Sequence, residues 1–371
     1  MWKRLLPPAV MMISVCAFAQ RHFSTTDVPV IIDPDHQGTE ALFYEKLDGN
    51  MVQCGLCFRN CVIPQGQRGY CRVRENREGV LNTLVYGRPS SIQIDPVEKE
   101  PQHHFLPGTE ILCLGTAGCN FTCLHCHNWQ LSQSSPGDLR AYHLPPEAVV
   151  RLALEMGIPS ISFTYNDPVV MYEYLLHTAA LAREHGLRTI WHSNGSINLP
   201  PLKRLLVHTD AVTIDLKGFS DRAYANSDAA LAPVLETLLV IRNSGVWLEV
   251  VYLIIPSVND NPEEIRDMCR WIFENLGPDV PLHFSRFFPS YRLTHLSPTP
   301  LESLEEACRI AGEEGLRFVS IGNWPGHHRN STLCPECGSV IIHRSHFHVH
   351  SISLTGGLCD HCGEAIPGVW E

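Results

Sequence analysis

From residue 111 onward, short apolar runs alternate with longer segments of helical period, and this alternation restricts the fold more than any other feature. The runs are ILCLG (111–115), ISFT (161–164), RTIWHS (188–193), AVTIDLK (211–217), VWLEVVYLII (246–255), PLHFSRF (281–287) and LRFVSIG (316–322). Between them lie PPEAVVRLALEMG, VVMYEYLLHTAALAREHG, LAPVLETLLVIRNSG, PEEIRDMCRWIFENLG and LESLEEACRIAGEEG, each of which closes on Gly as helices do. Strand–helix alternation predicts an α/β fold with a parallel sheet and right-handed crossovers. Six or seven units predict an open or incomplete β/α barrel. Such folds gather their active sites at the C-terminal strand ends. Those ends are polar here: Tyr165-Asn166-Asp167, Ser193-Asn194-Gly195, Asp215-Leu216-Lys217, Ser257-Val258-Asn259-Asp260 and Ser285-Arg286.

GCNFTCLHCHNW, residues 118 to 129, follows the first of these strands. Cys123, Cys126 and His127 spell C-x2-C-H, the attachment sequence of a c-type haem. Cys119, Cys123 and Cys126 spell C-x3-C-x2-C, three thiolates that can grip one iron–sulfur cluster. Haem gives no role to Cys119, and a β/α fold is an unusual host for it. The cluster reading uses all three thiolates and leaves one iron open, as an open position marks catalytic zinc. His125 and His127 read as polar loop fillers, and Trp129 as packing. Cys113, Cys269 and Cys308 read as small buried apolar residues.

The remaining cysteines form two more sets. CGLCFRNCVIPQGQRGYC places Cys54, Cys57, Cys61 and Cys71 at C-x2-C-x3-C-x9-C. Four soft ligands suit zinc or a second, fully ligated iron–sulfur cluster, and the spacing leaves that choice open. CPECG at 334–338 and CDHCG at 359–363 pair Cys334 and Cys337 with Cys359 and Cys362, a zinc-ribbon-like arrangement. So short a segment buries little apolar surface, and zinc would supply its folding energy. His343, His346, His348 and His350, between the knuckles, read as surface residues.

Clustered C-x2-C pairs in a chain of 371 residues indicate metal binding in a reducing compartment rather than disulfides. The N-terminus points the other way. Lys3-Arg4 precedes an apolar stretch from Leu5 to Phe18, with Ala17-Phe18-Ala19 as a small-residue cleavage site, so residues 1–20 read as a signal or membrane anchor. An oxygen-sensitive cluster is hard to install after export of an unfolded chain, which favours the cytoplasm. A formal charge of −11 without a basic run argues against nucleic acid. The organisation is thus a leader and linker (1–48), a four-cysteine segment (49–110), a partial barrel (111–326) and a zinc-ribbon-like segment (327–371).

The triplet after the first strand of a partial barrel resembles the radical SAM superfamily. That resemblance implies a (β/α)6-type barrel, a 4Fe-4S cluster, and S-adenosylmethionine (SAM) chelated at the open iron. Reductive cleavage then gives a 5′-deoxyadenosyl radical that takes hydrogen from a substrate not identified by the resemblance. Relatives of pyruvate formate-lyase activating enzyme carry a Gly-Gly-Glu-Pro-like turn after the second strand and Asp-x-Lys after the fourth. The first is replaced by Tyr165-Asn166-Asp167-Pro168; the second is intact as Asp215-Leu216-Lys217. The implied SAM contacts are Asn166, Asp167, Asn194, Asp215 and Lys217, with Lys217 as a point charge for the SAM carboxylate. Arg286 is a candidate for a substrate carboxylate. CGLCFRNCVIPQGQRGYCRVREN, GCNFTCLHCHNWQLSQ, FTYNDP, IDLKGF, IPSVND, HFSRFFPSY, GNWPGHH and CPECG…CDHCGEAIPGVW together resemble the AmmeMemoRadiSam-system radical SAM enzymes. This implies an external electron donor such as flavodoxin or ferredoxin, and partners that are Memo-like or bear an AMMECR domain. Alternatives are a glycyl-radical enzyme activase and, more remotely, an exported haem or cluster electron carrier.

Overall fold

The computed structural model describes residues 30–31 and 38–371; the 1–20 leader lies outside them. Its centre is an eight-stranded sheet: β1 (Ser91–Pro96), β2 (Glu110–Gly115), β3 (Ser160–Phe163), β4 (Arg188–Ser193), β5 (Ala211–Leu216), β6 (Trp247–Ile254), β7 (Leu282–Arg286) and β8 (Val319–Gly322). Strands β2 to β8 are parallel and neighbour one another in chain order. Sequential order with one crossover hand places the helices on a single face, which curls the sheet into a partial barrel. The edge strand β1 pairs antiparallel with β2, Ile92 opposite Leu114. It belongs to the barrel sheet, although it lies within the 49–110 segment.

The crossover helices are α1 (Pro146–Met156), α2 (Tyr172–Glu184), α3 (Leu199–Leu206), α4 (Ala232–Ser244), α5 (Pro262–Asn275) and α6 (Leu301–Glu313). Helix α1 begins with Pro in its first turn and ends at Gly157 in the left-handed region. The Asn261 side chain caps α5 by accepting from the Glu263 amide at 2.9 Å. Helix α3 is absent from the sequence reading. Pro200 and Pro201 sit in its first turn, where a missing N–H costs nothing. Leu202, Leu205 and Leu206 then fall on its buried face.

Strand alternation divides the core in two. Leu112 and Leu114 of β2, Trp191 of β4 and Val212, Ile214 and Leu216 of β5 pack in the large cluster with the helices. Ile111, Cys113, Ile190 and Ala211 face the interior with Phe105 and Leu106. Those last two come from the 97–109 connection, which enters the barrel as a floor. Its backbone is paired by strand side chains: Glu249 accepts from the His103 and His104 amides at 2.9 and 2.7 Å. Glu249 also meets His283 Nε2 at 2.6 Å.

Two cysteine-bearing segments dock on this barrel. The first contains the three-stranded antiparallel sheet Tyr44–Lys46, Val52–Cys54 and Val62–Ile63. The second contains Thr332–Leu333, Val340–Ser345 and His348–Ile352. Its tail returns to the floor, where the Val369 amide donates to the His104 carbonyl at 2.7 Å. Among the described residues no helix is long and apolar enough to cross a membrane.

Candidate active site

The loop after β2 carries Cys119, Cys123 and Cys126 and is clamped from several sides. Gly118 has φ +85, and a Cβ there would lie 2.4 Å from the Cys71 carbonyl oxygen, so only glycine fits this crossing. Asn120 Nδ2 donates to the Ser196 carbonyl at 2.9 Å, and Asn194 Nδ2 donates to Asn120 Oδ1 at 2.8 Å. The Thr122 and Leu124 amides donate to Ser227 and Asn226 carbonyls. Ser290 Oγ donates to the Cys126 carbonyl at 3.2 Å. The loop is therefore held before any ligand arrives.

All three cysteines line a cavity of about 540 Å³ at the C-terminal ends of the strands. Cys119 shares this wall with Cys123 and Cys126, which a haem bound by two thioethers would not require. His125 also lines it, is 4% exposed, and has neither ring nitrogen hydrogen-bonded within the described protein. Burial, then the nearby Lys217 cation, push its pKa down to about 3 and keep the imidazole neutral. Nothing in the loop spacing distinguished this histidine from the exposed His127.

Asn166, Asp167, Asn194, Asp215 and Lys217 reach the same cavity. Asp215 binds Lys217 Nζ at 2.6 Å through one oxygen and His192 Nε2 at 3.0 Å through the other. Burial alone would raise the Asp215 pKa, but Lys217 and then His192 hold it well below the carboxylate range. Lys217 is raised above its ordinary value, because Asp215 outweighs the burial that would lower it. The pair stays ionised, with a cation directed at the cavity.

The other three side chains are engaged by the protein. Asn166 accepts from the Thr116 amide at 3.0 Å and donates to the Gly118 carbonyl at 2.8 Å, tying β3 to the cysteine loop. Asp167 accepts from the Val169 amide, Ser193 Oγ and the Asn194 amide at 2.8–3.0 Å. Burial still lifts its pKa to about 6 against those bonds. The turn lacks glycine, and Tyr165 itself adopts a left-handed φ of 71°. Its hydroxyl donates to Asp95 at 2.6 Å.

Two expectations need correction. Arg286 does not line the cavity: alternation sends Ser285 inward and Arg286 outward. The guanidinium stacks 4.1 Å from the Trp324 ring, and Nε donates to the Thr299 carbonyl at 3.0 Å. Cys113 is buried but not merely apolar, since its thiol donates to Glu100 Oε1 at 3.2 Å. Cys269 and Cys308 are buried in helices as expected. Asn259, at the end of the β6 turn, is consumed by bonds to the Ile255 amide and the Lys217 carbonyl. Phe347, at the tip of the C-terminal hairpin, lines the cavity and was not anticipated.

The C-terminal sulfurs converge: Cys334 to Cys362 is 3.6 Å and Cys337 to Cys359 is 3.9 Å. Thiolates ~2.3 Å from a tetrahedral ion sit roughly 3.8 Å apart, so this set fits one metal ion. Gly338 and Gly363 amides close equivalent turns onto Cys334 and Cys359 carbonyls at 2.9 and 2.8 Å. Cys54, Cys57, Cys61 and Cys71 instead line a separate small cavity that Asn120 of the cysteine loop also borders.

Residues 114–272 match the radical SAM superfamily. The uncharacterized protein MJ0808 of Methanocaldococcus jannaschii is 45% identical over 329 residues, 88% of this chain and 98% of its own. This chain belongs to the radical SAM superfamily. The pyruvate formate-lyase 1-activating enzyme of Escherichia coli K12 is 23% identical over 217 residues, 54% of this chain and 88% of that one. The solved structure of Streptococcus suis SuiB bound to S-adenosylmethionine aligns with TM-score 0.46 and 13% identity, over 61% of this chain and 53% of that one. Radical SAM membership implies a 4Fe-4S cluster and SAM, and the residues fit them. Three thiolates on a fixed loop share one cavity with an unpartnered imidazole and a buried cation.

Proposed function

We propose that this radical SAM enzyme cleaves SAM reductively and uses the product to take hydrogen from a substrate held in the 540 Å³ cavity. When bound, the cluster and SAM supply a 5′-deoxyadenosyl radical, with methionine as the other product. The observation that carries this reading is one wall holding Cys119, Cys123, Cys126, Lys217 and the unpartnered His125. Lys217, fixed by Asp215, neutralises the SAM carboxylate. The carbonyls of the Tyr165–Asp167 turn accept from its amino group, while the Asn166 and Asp167 side chains keep that turn in place. His125 offers the adenosine a polar edge and a flat face. Glu100 and His103 of the floor and His283 of β7 face the substrate, and Phe347 closes part of the wall against water.

Anaerobic reconstitution with iron, sulfide, SAM and dithionite tests the reading. The wild type is expected to form 5′-deoxyadenosine, and the Cys119/Cys123/Cys126 triple alanine variant to form none. Formation by that variant would overturn the assignment. A flavodoxin- or ferredoxin-class donor is the proposed physiological reductant.

The likeness to pyruvate formate-lyase activating enzymes favours a second reading, in which the hydrogen comes from a glycine of a partner protein. Incubation with a candidate partner then gives a glycyl EPR doublet; its absence leaves the first reading. The ordered motifs also support membership of the AmmeMemoRadiSam system, with Memo-like and AMMECR-domain partners. Co-purification of those partners with the tagged chain checks this.

A further inference from the structure

We propose that Cys54, Cys57, Cys61 and Cys71 hold a second, fully ligated iron–sulfur cluster rather than zinc, and that it exchanges electrons with the catalytic one. The two flanking sets share residue type and number but differ in geometry. The C-terminal sulfurs all lie within 4.8 Å of one another; among the described residues, no three of the N-terminal sulfurs do. Convergence suits one ion, where every thiolate meets the same centre. Separation suits a cube, where each thiolate meets a different iron. The sulfurs of Cys119, Cys123 and Cys126 likewise do not all lie within 4.8 Å of one another.

The space between the N-terminal sulfurs has a second peculiarity. It is a cavity of about 20 Å³ walled by Leu56, Ile63, Val169 and Val170 as well as the cysteines, with Arg59, Tyr70, Arg74 and Asn120 completing the lining. Well-packed interiors rarely keep a void at their centre. Inorganic sulfide and iron are a chemically suitable filling. Arg74, 1% exposed, donates to Cys54 Sγ at 3.4 Å, the kind of bond that tunes a cluster's potential.

Position supplies the role. Arg59 Nε donates to the Asn120 carbonyl at 2.7 Å, and Tyr70 and Thr122 hydroxyls share a 2.8 Å hydrogen bond. The Cys71 carbonyl abuts Gly118. Asn120 lines the N-terminal cavity, and its neighbours Cys119 and Phe121 line the catalytic one. A cube held at every corner binds no SAM and exchanges only electrons. One electron leaves the reduced N-terminal cube and enters the oxidised catalytic cube, with no bond or proton moving. A reduced flavodoxin- or ferredoxin-class protein replaces it.

The wild type, reconstituted anoxically, is expected to contain about eight iron and one zinc per chain. In the Cys57→Ala/Cys61→Ala variant iron and sulfide halve while zinc is unchanged. Two zinc per wild-type chain, with about four iron, would overturn the proposal, and this measurement decides even if the variant is insoluble. The Cys119/Cys123/Cys126 triple alanine variant is expected to retain a reducible cluster whose EPR signal ignores SAM; no cluster there sinks the idea. In fully reduced wild type, mutual broadening of the two EPR signals supports the relay, and two independent signals refute it. The cluster assignment rests on the radical SAM reading only for its electron acceptor. A triple variant with a cluster, beside a wild type that cleaves no SAM, would therefore refute that reading and leave this one standing.

Discussion

Cys334, Cys337, Cys359 and Cys362 draw together near the surface, with Cys337 and Cys362 exposed, whereas Cys54, Cys57, Cys61 and Cys71 stand apart around a buried space. The C-terminal set closes a small unit with its own minor cluster of Phe318, Ile341 and Ile366. The N-terminal set is continuous with the main core, since Cys54, Leu56 and Ile63 belong to the same cluster as the barrel helices. The contrast teaches that a four-cysteine count does not define a metal site. What surrounds the sulfurs decides whether the metal holds up the fold or the fold encloses the metal.

Stripping metal should separate the two regions most sharply. A chelator is expected to unfold residues 332–359, since an ion held by these four cysteines would supply the folding energy of the unit, about 10 kcal/mol or more. Hydrogen exchange should then show deprotection confined to that segment while β2 to β8 stay protected. Equal deprotection of the barrel would erase the distinction.

The next largest effect falls on the other side. Arg74 forms a buried ion pair with Glu173 of α2, the two side chains 1% and 2% exposed, and it also bonds the Leu42 carbonyl. Arg74→Met leaves Glu173 charged and unpaired in the core and should cost about 3–5 kcal/mol. Chemical denaturation of the whole chain checks this. A loss below about 1 kcal/mol would mean the segment is not fused to the barrel.

Acid should act through the C-terminal dock with a smaller effect. His104 meets the Pro367 carbonyl through Nδ1 at 2.8 Å and packs against Phe318 and Trp370. Burial, only partly offset by Glu249, pushes its pKa down to about 4. Between pH 6.5 and 4 the unfolded chain takes up a proton that the folded chain refuses, so stability falls with pH by up to about 3 kcal/mol. Asp167, raised to about 6, works in the opposite sense over the same range. The readout is therefore the difference from His104→Gln, in which the Asp167 contribution cancels. Denaturation midpoints at pH 7 and 4.5 should converge between wild type and variant as pH falls; parallel curves would refute it.

The barrel was legible because burial against helices is written as apolar runs. Arg188–Ser193 has the bounds of its run, and the other strands differ by a few residues. The cysteine loop and its polar rim were legible because chemistry and strand ends coincide. The floor at 97–109 was not, because its polar residues are satisfied by Glu249 and Thr213 on distant strands. Nor was the direction of Arg286, which one step of strand alternation decides. Tyr165 hides its turn, since tertiary bonds hold a tyrosine where sequence statistics expect glycine.

Phe347 gives the reaction chamber part of its wall from a hairpin that belongs to the tail. A chain shortened before residue 327 would keep Cys119, Cys123, Cys126, Lys217 and its barrel, yet lose that stretch of wall. An ion held by the tail's four cysteines would thereby govern how well the chamber shelters a reactive species about two hundred residues earlier in the chain.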